Sequence, residues 1–598
     1  MNNTGIESGP PVEALPDHVP APPAPRDQPV VPDPAGPVTD SAGPVPDSCP
    51  GGTETSGDAE SPGLGRFLAR AAAVTAGLTV AGALLGLVRD QAIAHLFGAS
   101  GASDAFLIAW TVPEMAATVL IEDGMALLLV PAFSHALARR AAGTGEKKDA
   151  AARTTEGTDD PVRELISATL PRLFALLSCI AALLALGAPW VVGILAPGLS
   201  DPRLAVDCTR LTSVTVLTFG LTGYLSAALR AHRSFLPPAG VYLAYNVGII
   251  GMTFALHSLW GVRAAAAGVA VGSVLMILTQ LPAFVRLVPA RVARAGRERR
   301  PSARRRFAGA APPLLGATVL APVVIFVVSR QAQVLVERFL ASSLPAGAIS
   351  HLNYAQKVAQ MPMVLSLMIC TVTFPVVARA MANGDREKAR DRVERDLALA
   401  GMVVLAGTAM VLGYAPQIVE VLFQRGAFDA DDTRATADVM RVYALGLLGH
   451  SLVGALSRPY FSAGRPTWFP VFAMATGLIV TTGAGFAMTH RFGVNGIATA
   501  NAIGISTAAM LLLMGLGTRV VAIRVRSVTL SLVRLAGAAT VAGTAGWLAA
   551  PRVADPLLSL AAGCFLVPLL FLLAGLALRA PEVVQLLTLI RRRLLHGR

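Results

Sequence analysis

From residue 66 to residue 579 the chain is a succession of apolar runs, roughly fourteen of them, each long enough to cross about 30 Å of hydrocarbon as a helix. With 54% of 598 residues apolar and only 15% charged, so much greasy surface cannot be hidden in one soluble core. Lipid is therefore the solvent for most of the chain. The sequence predicts an all-α polytopic membrane protein.

The formal charge of +13 raises the question of nucleic acid. The basic residues, however, cluster between apolar runs and interleave with few aromatics, so topology and anionic lipid account for them and a nucleic-acid partner is not expected. Every second connection is basic, from Arg139, Arg140, Lys147 and Lys148 through Arg230 and Arg233, Arg291 to Arg306, Arg386 to Arg392, Arg458 and Arg465, Arg519 to Arg526, and on to Arg591 to Arg593. The intervening turns, such as Phe97 to Ser100, Ala196 to Asp201 and Ser343 to Gly347, carry far fewer. This alternation predicts an even number of spans with both termini cytoplasmic.

Residues 1–64 are different in kind. Pro-Pro-Val, Ala-Pro-Pro-Ala-Pro and repeated Pro-Asp pairs with almost no large apolar residues read as a disordered tail, and no basic start followed by an apolar run marks a secretory signal. The five cysteines are scattered without a CxxC pair, so neither a disulfide framework nor a metal site is expected. No P-loop, His-Glu-x-x-His or nucleophile–base arrangement is found. Neither an enzyme nor a cofactor is indicated, and a transporter built this way draws its energy from a gradient or a partner.

The chain also repeats itself. Aligning Asp104-Ala105-Phe106 with Asn353-Tyr354-Ala355 puts Pro113 on Pro362, and Leu229 to Pro238 corresponds to Phe461 to Pro470. The order is preserved and equivalent segments start on the same side, which predicts two pseudo-symmetric lobes around a central cavity, related by an axis along the membrane normal.

Charged residues inside such runs are expensive and mark function. Asp104, Glu114 and Glu122 share the second span, and Asp104 and Glu122 are separated by about five helical turns, so they project alike apart from a bend at Pro113. They either line a cavity or serve as a helix cap and an interhelical hydrogen bond. Arg89, beside Asp90, and Lys357, one turn after Asn353, lie on equivalent elements of the two lobes and could together hold a multivalent anion; snorkelling is the bland alternative. Arg330 and Glu337 are two turns apart on one face of the seventh span, and Glu337 pairs either with the other lobe or with Arg338. Arg441 and His450 are weaker candidates.

At Gly86-Leu87-Val88-Arg89-Asp90, Phe97-Gly98-Ala99, Ser103-Asp104-Ala105-Phe106, Pro113, Glu122, Val130-Pro131, Gln333 to Ser343 and Leu352-Asn353-Tyr354-Ala355-Gln356-Lys357 the chain resembles the MurJ/MviN lipid II flippases of the multidrug/oligosaccharidyl-lipid/polysaccharide exporter superfamily. The resemblance implies about fourteen helices in two lobes. It implies outward movement of the undecaprenyl-pyrophosphate-linked peptidoglycan precursor by alternating access, an arginine-rich cavity for the headgroup, and a lipid-tail groove on the last two helices. The positions that match the family's site are Arg89, Asp104, Glu122 and, conservatively replaced, Lys357. With Asn353, one turn before Lys357, these are the expected substrate-binding residues, and the intramembrane charges Asp123, Glu114, Arg330 and Glu337 are the expected gate or coupling residues. The chain departs from the pattern at Ala83, Ala117 and Thr118, where the family carries arginines, and at Asp123, where it carries glycine, which lowers the positive potential an anionic headgroup meets.

The expected organisation is a tail (1–64), a first lobe (65–290), a basic linker (291–307), a second lobe (308–520) and two further helices with a basic end (521–598). Expected partners are the polyprenyl-linked glycolipid, membrane lipids, and cell-wall synthesis or division proteins. Two other functions stay open: a cation-coupled exporter using Asp104, Glu122 and Asp123, and a non-transporting scaffold acting through the tail.

Overall fold

The computed structural model describes residues 62–146, 160–287, 317–367, 385–462, 467–519 and 523–596. The tail as far as residue 61, the linker 291–307 and the basic positions 291–306 lie outside the described residues, as do the side chains of Glu122 and Asp123.

Among the described residues every regular element is helical. The first part contains α1 (Pro62–Phe97), α2 (Gly101–Ala117), a π-helical segment (Thr118–Asp123), α3 (Gly124–Glu146), α4 (Pro161–Leu186), α5 (Ala188–Leu195), α6 (Pro202–Thr212), α7 (Val214–Ala231), the short α8 (Leu236–Ala239), α9 (Val241–Trp260) and α10 (Arg263–Leu287). The second contains α11 (Ala317–Ala341), α12 (Ala348–Ala359), α13 (Arg386–Phe423), α14 (Ala430–Ala444), α15 (Leu447–Ser462) and α16 (Phe469–Arg519). Then come α17 (Val525–Ala549), α18 (Pro556–Ala577) and α19 (Pro581–His596).

Local chemistry explains where these helices begin. Asp160, Asp201 and Asp555 each precede a proline at the first helical position, and each carboxylate accepts a backbone N–H of the first turn. Asp385 and Asp429 cap α13 and α14 the same way. Inside α2, Pro113 cannot serve the carbonyl of Ala109, and the Thr212 hydroxyl donates to that oxygen instead at 3.2 Å.

Ten of the described helices are long and apolar enough to cross a membrane, or eleven if α14 and α15, bent by 47°, count as one broken span. The chain is a multi-pass membrane protein. The sequence count of about fourteen is not reproduced directly, for two reasons. Part of the expected seventh and eighth spans lies outside the described residues, and α16 is one helical run that doubles back at Gly493 (φ 54, ψ −133). A Cβ on Gly477 would meet the carbonyl of Gly504, and one on Gly496 would meet that of Met488, which are the contacts of two antiparallel arms.

The same backbone conformation recurs at Gly261 (φ 56, ψ −137), between α9 and α10. Gly261 and Gly493 are related by the sequence offset that relates Leu229 to Phe461. Gly98 and Gly347, which precede α2 and α12 with φ 61 and 94, share the offset that relates Asp104 to Asn353. The internal repeat is thus built into the backbone, because only glycine adopts these dihedrals without strain.

The largest apolar cluster draws on both halves, from Ile93, Phe106 and Phe219 to Tyr354, Phe428 and Ile497. A second holds α11, α13, α15 and α16 together around Phe326, Leu456 and Leu512. A third seats α17 and α18 on α13 through Tyr414, Leu535 and Phe571.

Candidate functional site

Where α2 faces α11 and α12, a cavity of about 200 Å³ opens between the halves. Helix α2 contributes Thr111 and Glu114, α11 contributes Arg330, Gln333, Glu337 and Arg338, and α12 contributes Asn353, Gln356 and Lys357. Tyr443, His450 and Asn501 close the wall. Among the described residues of the lining, three cations face two carboxylates, and all three cations come from the second half.

Arg338 is held from below by α12: Nη1 donates to the carbonyl of Ile349 at 3.0 Å and Nη2 to Asn353 Oδ1 at 2.8 Å. Glu337, its neighbour, accepts from the Asn501 amide. Asn501 Oδ1 lies 2.9 Å from His450 Nε2, and His450 stacks on Tyr443, whose hydroxyl accepts from Gln356 at 2.9 Å. Of the two pairings open to Glu337 from sequence, Arg338 acts on it through charge, while its hydrogen-bond partner is an amide of α16. Arg330 lines the same cavity as Glu337, as their two-turn spacing on α11 permits.

Lys357 reaches across to the first half, and its Nζ donates to Glu114 Oε1 at 2.6 Å. The two side chains are 31% and 40% exposed. Lys357 also lies 5.5 Å from the centre of the Trp110 ring, against which the Arg89 guanidinium packs at 4.3 Å. Cations are attracted to the indole face by its quadrupole, and the ring itself is fixed by Nε1 donating to Tyr245 Oη at 3.2 Å.

Arg89 is placed differently from Lys357. It is 7% exposed and does not line the cavity; it donates to Asp90 Oδ1 at 2.8 and 3.0 Å and to Asn246 Oδ1 at 2.9 Å, and Asn246 in turn donates to the carbonyl of Gly82. Neutralised by its neighbour and behind Trp110, it touches the site through the ring. Trp110, Asn246 and Tyr443 were not singled out from sequence. The one signal for Trp110 is that it stands one turn before Glu114 on the same helix.

Asp104 neither lines the cavity nor caps its own helix, where Ser100 accepts from the N–H of Ser103. It caps α12 in the other half. Oδ2 accepts the N–H of Gly347 at 2.7 Å, and Oδ1 accepts the N–H and the hydroxyl of Ser350 at 2.8 and 2.6 Å. Further contacts join the same ends of the two halves. The N–H of Ala427 donates to the carbonyl of His95 at 2.8 Å, that of Ala99 to Asp432 at 3.1 Å, and that of Gly198 to Ser342 Oγ at 3.4 Å. The cavity is therefore sealed on the side whose turns carry few basic residues.

The π-helical segment that follows Pro113 changes the register between Asp104 and Glu122, so the five-turn spacing of an uninterrupted α-helix does not hold there. Glu122 and Asp123 fall in that segment, and their side chains are outside the described residues. Of the positions lacking the expected arginines, Thr118 lines the cavity and Ala83 is exposed.

Comparison with known proteins places this geometry. A family model described as lipid II flippase MurJ matches residues 93–561. The lipid II flippase MurJ of Burkholderia cenocepacia is 28% identical over 76% of this chain and 84% of its own length, and the probable lipid II flippase MurJ of Haemophilus influenzae is 26% identical over 80% and 91%. Among solved structures, lipid II flippase MurJ in an inward closed conformation superposes with a TM-score of 0.66 at 19% identity, covering 86% of this chain and 99% of that one. An inward-facing multidrug transporter of the MATE family follows at 0.57 and 15%, which shows a shared fold. With most of its length matched by the family model, the chain belongs to the lipid II flippase MurJ family.

Proposed function

We propose that this protein carries lipid II, the polyprenyl-pyrophosphate-linked peptidoglycan precursor, from the cytoplasmic to the outer leaflet by rocking two lobes about the central cavity. The observation that carries the reading is the cavity's chemistry. Arg330, Arg338 and Lys357 line it, and three buried donors on its walls, Arg338 Nε, Asn353 Nδ2 and Gln333 Nε2, have no acceptor among the described residues. Buried donors without acceptors are costly, and the oxygens of a diphosphate or a sugar headgroup answer that need. Arg suits bidentate contact with phosphate and Lys a mobile point charge.

In this reading the Asp104 seal faces the outside, both termini are cytoplasmic, and lipid II enters from the cytoplasmic side. The lobes are residues 65–290 and 308–520. Helices α17 and α18, seated on α13, offer their outer faces to lipid. At about 200 Å³ the cavity is smaller than a typical ligand site, so the structure corresponds to a closed step of the cycle. The protein works as a carrier and makes or breaks no covalent bond. Asp104 is committed to its cap, which removes one of the three carboxylates a cation-coupled exporter would use.

The test is complementation. With a cell's other flippases depleted, the parent chain is expected to sustain growth and lipid II export, and a Lys357→Met, Arg338→Met double variant that still reaches the membrane is expected to fail. Undiminished export by that variant would refute the reading.

A further inference from the structure

Helices α2 and α12 are joined at two levels, nearly three turns apart on α2. At the sealed end Asp104 is 3% exposed and makes three hydrogen bonds to the first turn of α12. Ten residues further along α2, and seven beyond Ser350 on α12, Glu114 holds Lys357 at 2.6 Å, with both side chains partly exposed to the cavity. The first joint is fixed by burial; the second is an ion pair that opens onto the cavity, within reach of an incoming anion. Arg338 makes its described hydrogen bonds to neutral oxygens of its own lobe, whereas Lys357 is satisfied by a carboxylate of the opposite one.

We infer that Glu114 is a built-in counter-ion that occupies the substrate-binding lysine, latches the lobes across the cavity, and is displaced by the diphosphate of the incoming lipid. The inference rests on the proposed transport of a pyrophosphate-linked substrate and adds the step that couples binding to lobe movement. With Glu114 paired, two carboxylates offset three cations in the lining. A diphosphate carries more charge than a single carboxylate and takes Lys357 in its place. Glu114 is then left facing phosphate without a partner, and like charges across a small cavity repel. The repulsion acts on α2, whose other end stays pinned by Asp104, so α2 swings away from α12 on the unsealed side only. Glu114 thereby sets a threshold: a monoanionic headgroup gains little over the carboxylate it replaces, and a multivalent one gains enough. Trp110 keeps Lys357 in place during the exchange, because its ring attracts the ammonium whichever anion is bound.

The experiment uses the full chain in detergent with farnesyl diphosphate as the probe, plus spin labels on cysteines replacing Arg233 and Lys388, both exposed at basic loops of the two lobes. Glu114→Gln, which is isosteric, is expected to lengthen the label distance without ligand and to tighten diphosphate binding about tenfold. Lys357→Met is expected to lengthen the distance equally while weakening binding at least tenfold. Its distance measurement tests the latch independently should Glu114→Gln prove unstable. A parent-like distance in both variants with normal binding would overturn the latch and leave the substrate reading intact. An affinity unchanged by Glu114→Gln would overturn the competition. Opening in both variants with no diphosphate binding, even by the parent, would overturn the displacement step together with the substrate reading beneath it.

Discussion

Replacing Asp104 by alanine should open the sealed side. In the sealed state this carboxylate is 3% exposed and accepts three hydrogen bonds, at 2.7, 2.8 and 2.6 Å, all from the other lobe. Hydrogen bonds to a charged group contribute about 1.5–3 kcal/mol each, and loss of a helix N-cap alone costs about 0.5–2 kcal/mol. The three bonds are made by one group to one helical turn and do not add in full, so about 3 kcal/mol is a fair figure for the whole cap. When the lobes part at this end, Asp104 and the first turn of α12 are both solvated, so the loss falls on the sealed state alone. A loss of about 3 kcal/mol shifts the sealed-to-open ratio on the order of 100-fold. The assay is a distance distribution between spin labels on cysteines at Arg203 and Ala346, two exposed positions beside the seal, in a background without the native cysteines. Asp104→Ala should move most of the population to longer distances. Asp104→Asn should fall between, because its oxygen still accepts from Ser350 while its amide meets the N–H of Gly347 donor to donor. A distribution for Asp104→Ala that overlays the parent's would refute the assignment of Asp104 as an inter-lobe seal.

Two further outcomes follow from the same framework. Gly347→Ala should reproduce the Asp104→Ala shift more weakly, because a Cβ there at φ 94 would stand 2.5 Å from the carbonyl of Ala99; a parent-like distance distribution would show that the backbone there yields. Deleting residues 1–61 should leave lipid II export and membrane localisation unchanged in the depletion strain, and loss of either would revive the scaffold reading.

Several parts of the site were legible from residue order. Apolar runs and the alternation of basic loops are local properties, so a membrane protein of many helices could be read off directly. The repeat was legible because Asp104-Ala105-Phe106 aligns with Asn353-Tyr354-Ala355 and Pro113 with Pro362; the structure adds that Gly98 and Gly347, like Gly261 and Gly493, take positive φ at equivalent positions. Lys357, Arg330, Glu337 and Asn353 were legible as cavity residues because charged and amide groups within apolar runs stand out. Glu114 was visible in the second span, yet nothing in its surroundings pointed to Lys357. Arg89 illustrates the reverse: it too is a charge in an apolar run, but Asp90, Asn246 and Trp110 take it up in the interior of the first lobe.

The sequence by itself determined the solvent, the helical class and the residues rich enough in charge to matter, since each follows from composition within a few helical turns, and it showed the internal repeat through matching segments in its two halves. Which of those residues meet was decided only by tertiary structure. Asp104 and Ser350, and Glu114 and Lys357, are separated by more than two hundred positions, and their contacts depend on how α2 lies against α12. The π-helical segment after Pro113 further resets which face the residues beyond it present. Spacing along one helix fixes direction only while the helix is regular, and it says nothing about the rotation of a second helix packed beside it. That rotation is set by the summed packing of both lobes, and it brings Asp104 to the start of α12 and Glu114 to Lys357.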